Sequence, residues 1–296
     1  MATYFNTEAG ADAVSYVNKA TMWETTSIPY AYAVGGVAFH CRRPLANQLN
    51  TVNKKGDVVS VSLRAALSTN TVTEATGAIT PQSPGDTKAD LTFDTWEDCS
   101  IGEVSMATEQ SVFDHFSAYA GDQLKALDKS FETELCGHFS SFGNVIASGG
   151  TQGLDTALLD SMIDEFPQYD LLPLDDPNMF CFVLPAKGQT RLLQDKNVND
   201  YQITGEAGSG YLKRNIKTYR GIPVVFTTNL TTGGEADTKY GALFHKDALM
   251  CGIQARWARG SEKEEALASV EIRAWLWGTD TGKSDWGVYA QISEVA

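Results

Sequence analysis

EQSVFDHFSAYAGDQLKALDKSFETELCGHFSSF, residues 109–142, is the stretch from which the rest of the chain is read. Its apolar residues fall at Phe116, Ala120, Leu124, Leu127, Phe131, Leu135, Phe139 and Phe142. Steps of three and four make this the stripe of an amphipathic helix. Thr108 is placed to cap its start, Glu109 suits the positive end of the helix dipole, and Gly143 is placed to stop it. At ~1.5 Å per residue such a helix would run roughly 50 Å, several times the usual 11–12 residues. Its length suits either a core helix of an α+β protein or a backbone spanning two sub-domains.

Composition narrows the class. The chain has 296 residues, 43% of them hydrophobic, enough for one large or two intertwined domains. Its 23 basic and 37 acidic residues leave a net charge of −14, which disfavours tight binding to nucleic acid or to an anionic membrane. No apolar run follows a basic start and none approaches the ~20 residues of a membrane span, so neither a signal peptide nor a membrane partner is expected. Cys41, Cys99, Cys136, Cys181 and Cys251 are scattered and odd in number, the usage of a reducing compartment.

On the N-terminal side of the helix, residues 1–55 read as an arm. A strand opens after Gly56, where Val59, Val61 and Leu63 alternate with Ser60, Ser62 and Arg64. A polar stretch follows, and a second alternating run carries Leu91 and Phe93. A loop this long in a compact domain points to a function. Its strand pair is expected to be marginal alone, with an apolar face that waits for a neighbouring subunit.

On the C-terminal side, a second helix is expected through Leu154, Leu158, Met162 and Phe166, ended by Pro167. Residues 179–184 form a continuous apolar run, the pattern of a strand covered on both faces, and Pro185 suits the first turn of a helix reaching Gln194. Strands are expected at 222–228 and 240–244, with an exposed polar loop at 231–235 between them. The closing segment reads as a hairpin: Val270, Ile272, Ala274 and Leu276 on one strand, Trp286, Val288, Ala290 and Ile292 on the other.

Motifs that could carry chemistry are weak. Gly278-Thr279-Asp280-Thr281-Gly282-Lys283-Ser284 looks like a phosphate-binding loop, but three residues rather than four separate its glycines and a strand pattern follows. It reads as a turn. His40, His115, His138 and His245 show no metal-ligand spacing, and no nucleophile elbow is present. The residues single out no catalytic, cofactor-binding or metal site. Lys213, Arg214, Lys217 and Arg220 form a basic cluster too small for a nucleic-acid footprint.

Arm, long β-loop, long helix, α+β unit and a closing return of β-structure, in that order, resemble the major capsid proteins of tailed bacteriophages with the Hong Kong 97-like fold. The likeness runs from about Leu45 to the C-terminus. Residues 56–61 look like the opening of that family's extended loop, and 109–142 like its spine helix. Residues 212–230, with Arg220-Gly221-Ile222-Pro223, look like the strand crossing its axial domain. Residues 242–249 look like the segment that returns toward its peripheral domain. The resemblance implies an α+β chain divided into an N-terminal arm (1–55), an extended loop (56–105), a spine helix with peripheral-domain chain (106–150), an axial domain (151–254) and a peripheral-domain β-hairpin (255–296). It implies a non-enzymatic shell subunit without cofactor, self-assembling in the host cytoplasm into hexameric and pentameric capsomers of a virion capsid around double-stranded DNA. Scaffolding, portal and decoration proteins are the implied partners, with only weak non-specific proximity to DNA. Inter-subunit contacts fall on Val59, Val61, Leu63, Arg64, Lys88, Leu91 and Phe93 in the loop, and on Thr232 and Glu235 in the axial domain. Two alternatives stay open: an encapsulin-type nanocompartment shell, and an α/β enzyme using residues 278–284 for nucleotide.

Overall fold

A computed structural model gives the fold. It describes residues 36–49, 55–63, 69, 81, 87–104, 115–146, 153–169, 171–194, 216–234, 237–263 and 268–293. In chain order the strands and helices are β1 (Asp57–Leu63), β2 (Thr87–Phe93), β3 (Thr95–Val104), α1 (His115–Gly137), β4 (Asn144–Ile146), α2 (Thr156–Asp164), β5 (Phe180–Pro185), α3 (Gly188–Gln194), β6 (Thr218–Tyr219), β7 (Ile222–Thr227), β8 (Thr238–His245), β9 (Leu249–Lys263), β10 (Ala268–Thr281) and β11 (Gly287–Ser293). One further helical turn lies at Ala46–Leu49.

Strands group in three ways. β1 and β2 form an antiparallel hairpin with Val59 opposite Leu91. β10 lies between β3 and β9 in a three-stranded antiparallel sheet. The third group is a mixed six-stranded sheet in the order β4-β11-β8-β5-β7-β6.

The closing hairpin expected from the sequence is corrected here. β10 and β11 do not pair; β10 joins β3 and β9, whereas β11 joins β4 and β8. Alternation shows that each strand buries a face but not which strand it pairs with. The hairpin that β10 does form is with β9. Further corrections are local. Pro185 ends β5 and α3 starts at Gly188. Leu154 precedes α2, whose start is capped by Asp155 accepting from the Leu158 N–H at 2.8 Å, and Phe166 and Pro167 sit in the following 3-10 turn.

α1 buries the stripe read in the sequence. Leu124, Leu127, Phe131 and Leu135 are in the core, and the stripe continues into a 3-10 turn at His138–Ser141. The expected start at residues 108–109 lies outside the described residues. The α-helical part ends at Gly137, earlier than expected, and the tighter turn brings Phe139 and Phe142 to 5.8 Å of each other. Both rings then meet Phe244 on β8, at 5.9 and 6.2 Å. Phe131 packs edge-on against Trp277 of β10 at 5.8 Å, so one helix face touches both sheets.

The six-stranded sheet separates two cores. Cys181 and Val183 of β5 point into the core beneath α1, while Phe180, Phe182 and Leu184 point into the core beneath α2 and α3. Burial on both faces is what the unbroken apolar run requires.

The hairpin meets the three-stranded sheet at Gly278, where a Cβ would lie 2.2 Å from the Thr92 carbonyl oxygen. Backbone cannot yield as a side chain does, so Gly278→Ala should lose about 1–3 kcal/mol. A denaturant midpoint equal to that of the unaltered protein, with unchanged slope, would show this contact to be loose.

Candidate assembly interface

Five residues expected to wait for a neighbour already have a partner inside the chain. Val59, Val61, Leu91 and Phe93 pack with Met250 and Leu276, Leu49 closes one edge, and Leu63 is buried as well. The reason is connectivity: only Asp94 separates β2 from β3, so the hairpin is folded back onto the sheet that β3 enters. Gln48 reinforces it by donating Nε2 to the Ser60 carbonyl at 3.2 Å. The uncovered apolar face argued from the sequence is therefore corrected to a covered one.

The remaining expected contacts divide. Lys88 is exposed and stands opposite Ser62. Thr232 is exposed in a loop pinned by Lys239, whose Nζ donates to the Leu230 carbonyl at 3.1 Å and to Thr232 Oγ1 at 3.3 Å. Arg64 and Glu235 lie outside the described residues. Sequence reading missed several exposed apolar side chains, among them Val58 on the hairpin, Leu45, and the pair Leu172 and Leu174. The signal was present in Leu171-Leu172-Pro173-Leu174, an apolar run that prolines make unfit for a strand.

The glycine-rich stretch at 278–284 has no phosphate cradle. β10 runs to Thr281, the Gly282 N–H donates to the Ala248 carbonyl at 2.8 Å, and the Lys283 N–H donates to the Asp247 carbonyl at 3.0 Å. A cradle needs those N–H groups for the ligand and a helix behind them. Here a 3-10 turn, Ser284–Trp286, leads straight into β11, and the Lys283 ammonium lies 3.6 Å from the centre of the Trp286 ring.

Buried polar groups serve structure. Glu134 on α1 accepts from Trp277 Nε1 at 2.9 Å and from Thr279 Oγ1 at 2.8 Å, and His138 Nε2 lies 3.0 Å from that same hydroxyl. Cys41, Cys136, Cys181 and Cys251, scattered in sequence, meet in the core beneath α1. Burial holds the Cys41 and Cys136 thiols well above their ordinary range. Burial also lowers His245, whose Nδ1 accepts from the Asp247 N–H at 3.2 Å. Asp128 is pushed up to about 6, first by burial and then by Glu132 one turn away. Among the described residues no group of three or more His, Cys, Asp and Glu could hold a metal ion.

No family model and no curated protein matches the chain. Solved structures do. The capsid asymmetric unit of cyanophage Pam1 covers 90% of this chain and 92% of its own, at 11% identity and a TM-score of 0.65. The capsid structure of cyanophage P-SCSP1u covers 86% of each chain at 12% identity and a TM-score of 0.64. A structure from Mycobacterium phage Che8 covers 80% of this chain and 85% of its own at 16% identity and a TM-score of 0.63. The chain thus has a mixed helix-and-strand fold similar to that of phage capsid chains.

Two measurements test this geometry. Leu91 is fully buried within its own chain, so Leu91→Ala should cost ~2–5 kcal/mol in the unassembled subunit. A loss below about 0.5 kcal/mol, the level of an exposed site, would return the hairpin face to a neighbour.

Asp128 has a folded pKa of about 6, above the ordinary value near 3.9. Its ionisation is therefore harder in the folded chain, and its contribution to stability falls as pH rises from about 4 through about 6, then stays level. Asp128→Asn should raise Tm at pH 7.5 and change it little at pH 4. An equal shift at both pH values would assign the effect to something other than titration.

Proposed function

We propose that the chain is a structural subunit of a bacteriophage capsid, not an enzyme. The observation that supports this most is coverage. The matched capsid chains span four fifths or more of this chain and of themselves, so the likeness is to most of the chain and not to one local motif. On this reading the fold is Hong Kong 97-like. Residues 1–55 are the arm, the hairpin and the chain between its strands are the extended loop, and α1 is the spine helix. The three-stranded sheet is the peripheral domain. The six-stranded sheet is the axial domain, and it takes in β11 as well as residues 151–254.

Copies would assemble in the host cytoplasm into hexameric and pentameric capsomers enclosing double-stranded DNA. The partners are scaffolding, portal and decoration proteins. Contacts with other subunits would use the outer side of the hairpin around Lys88 and the loop carrying Thr232, with Arg64 and Glu235 as further contact residues. A net charge of −14 suits a wall that should not hold its polyanionic contents.

The test is expression of the full chain, alone and with the protein encoded immediately upstream, followed by electron microscopy. Closed shells are the expected result. A folded monomer under every condition would overturn the reading, and shells filled with a protein cargo would replace it with a nanocompartment.

A further inference from the structure

His245 ends β8, where the chain leaves the six-stranded sheet for the three-stranded one. Its Nδ1 accepts from the Asp247 N–H at 3.2 Å and so caps the 3-10 turn Lys246–Ala248. An acceptor Nδ1 carries no proton, so this turn is closed by the neutral ring. The half-buried imidazole packs steeply against two aromatics, with ring centres 4.8 Å from Trp286 and 5.1 Å from Phe180. Trp286 lies between β10 and β11, which is the other place where the chain crosses between the two sheets.

The two crossings are bonded to each other through the turn that His245 caps. The Asp247 carbonyl accepts from the Lys283 N–H at 3.0 Å, and the Ala248 carbonyl accepts from the Gly282 N–H at 2.8 Å. The fit is close, since a Cβ at Gly282 would lie 2.3 Å from the Asp247 carbonyl oxygen. A turn that opens at Asp247 therefore loosens both crossings.

A proton on the ring reverses the cap. Imidazolium has an N–H on each nitrogen and no acceptor, so Nδ1–H would point at the Asp247 N–H. The new charge would face Asp247 and Asp176 favourably, and Lys283 and Lys246 unfavourably. Asp247 is already ion-paired to Arg42 at 3.4 Å, and Asp176 is exposed to water. Burial is the largest influence and holds the ring's pKa below its ordinary value. The unfolded chain therefore takes up this proton first. Stability is complete above about pH 6.5 and is lost as pH falls from there toward the folded value.

We propose that His245 is a pH-sensitive latch on the joint between the two sheets. Neutral, it caps the turn; protonated, it releases the turn and frees the two crossings. The latch belongs to the single subunit and does not depend on the shell reading.

His245→Asn tests it, because an asparagine oxygen can accept the same backbone N–H and does not titrate. Between pH 7.5 and pH 5 the unaltered, unassembled subunit should lose about 2–4 °C more melting temperature than the variant, the shift expected from one cap in a chain of this size. At pH 5 the Gly282 and Lys283 amide protons should exchange about tenfold faster in the unaltered protein than in the variant, the factor that one pKa unit supplies, and at pH 7.5 they should exchange at equal rates. Parallel melting profiles, or equal exchange in the two proteins at pH 5, would overturn the proposal. If the variant does not fold, the imidazole of His245 is titrated by NMR in the unaltered protein. A pKa below the ordinary value, with the Lys283 amide losing protection over the same pH range, supports the latch. Titration at or above the ordinary value, or titration that leaves that amide protected, overturns it.

Discussion

Three chain segments are tied together where the two sheets meet. The carbonyls of Asp247 and Ala248, between β8 and β9, accept from the N–H groups of Lys283 and Gly282, between β10 and β11. The end of the long-helix region joins them: the Gly143 N–H donates to the Ser284 carbonyl, and Asn144 Nδ2 donates to the carbonyls of Asp285 and Gly287. Arg42 adds a fourth segment, with an isolated parallel bridge to Met250 and an ion pair to Asp247 at 3.4 Å. Backbone bonds of this kind leave little freedom to slide, since every buried N–H or carbonyl released must find another partner. The orientation of one sheet relative to the other is set there.

The long helix depends on that arrangement. Its apolar stripe would tolerate small shifts along its axis, because hydrophobic burial has no direction. Directional bonds supply the register. Glu134 holds Trp277 and Thr279, Gln123 Nε2 reaches the Cys99 carbonyl at 3.2 Å, and Arg273 Nη1 donates to the Ala120 carbonyl. All of these partners lie on β3, β10 or α1 itself. Two residues before Glu134, Glu132 accepts from Thr227 at the end of β7 and from Asn229 just beyond it. One helix is thus bonded to both sheets, which is what a backbone spanning two sub-domains requires.

With the frame rigid, the surfaces left for partners are turns rather than core faces. The hairpin's inner face is used up within the subunit, and its outer face carries Val58, Ser60, Ser62 and Lys88, with Ser60 donating to Asp90 at 2.5 Å. Of the contact residues read from the sequence, the polar ones Lys88 and Thr232 are on the surface and the apolar ones are in the interior. An apolar alternation identifies a face that needs covering, and it does not identify the molecule that covers it.

Local physics was legible in the sequence. Steps of three and four marked the helix, alternation marked β1 and β2, and an unbroken apolar run marked β5, because each pattern follows from the geometry of a single element. The lack of a phosphate cradle at 278–284 was legible for the same reason, since such a cradle has a strict local spacing, but the turn expected there was not, because residues 278–281 are the end of β10, paired with β9. What only the tertiary structure decided was partnership between distant segments. The separation of β10 from β11, the meeting of four cysteines, the burial of the hairpin face on Met250 and Leu276, and the need for glycine at 278 beneath the Thr92 carbonyl are all of this kind. Each depends on contacts between residues far apart in the chain, and the periodicity of one segment carries no record of which other segment it will meet.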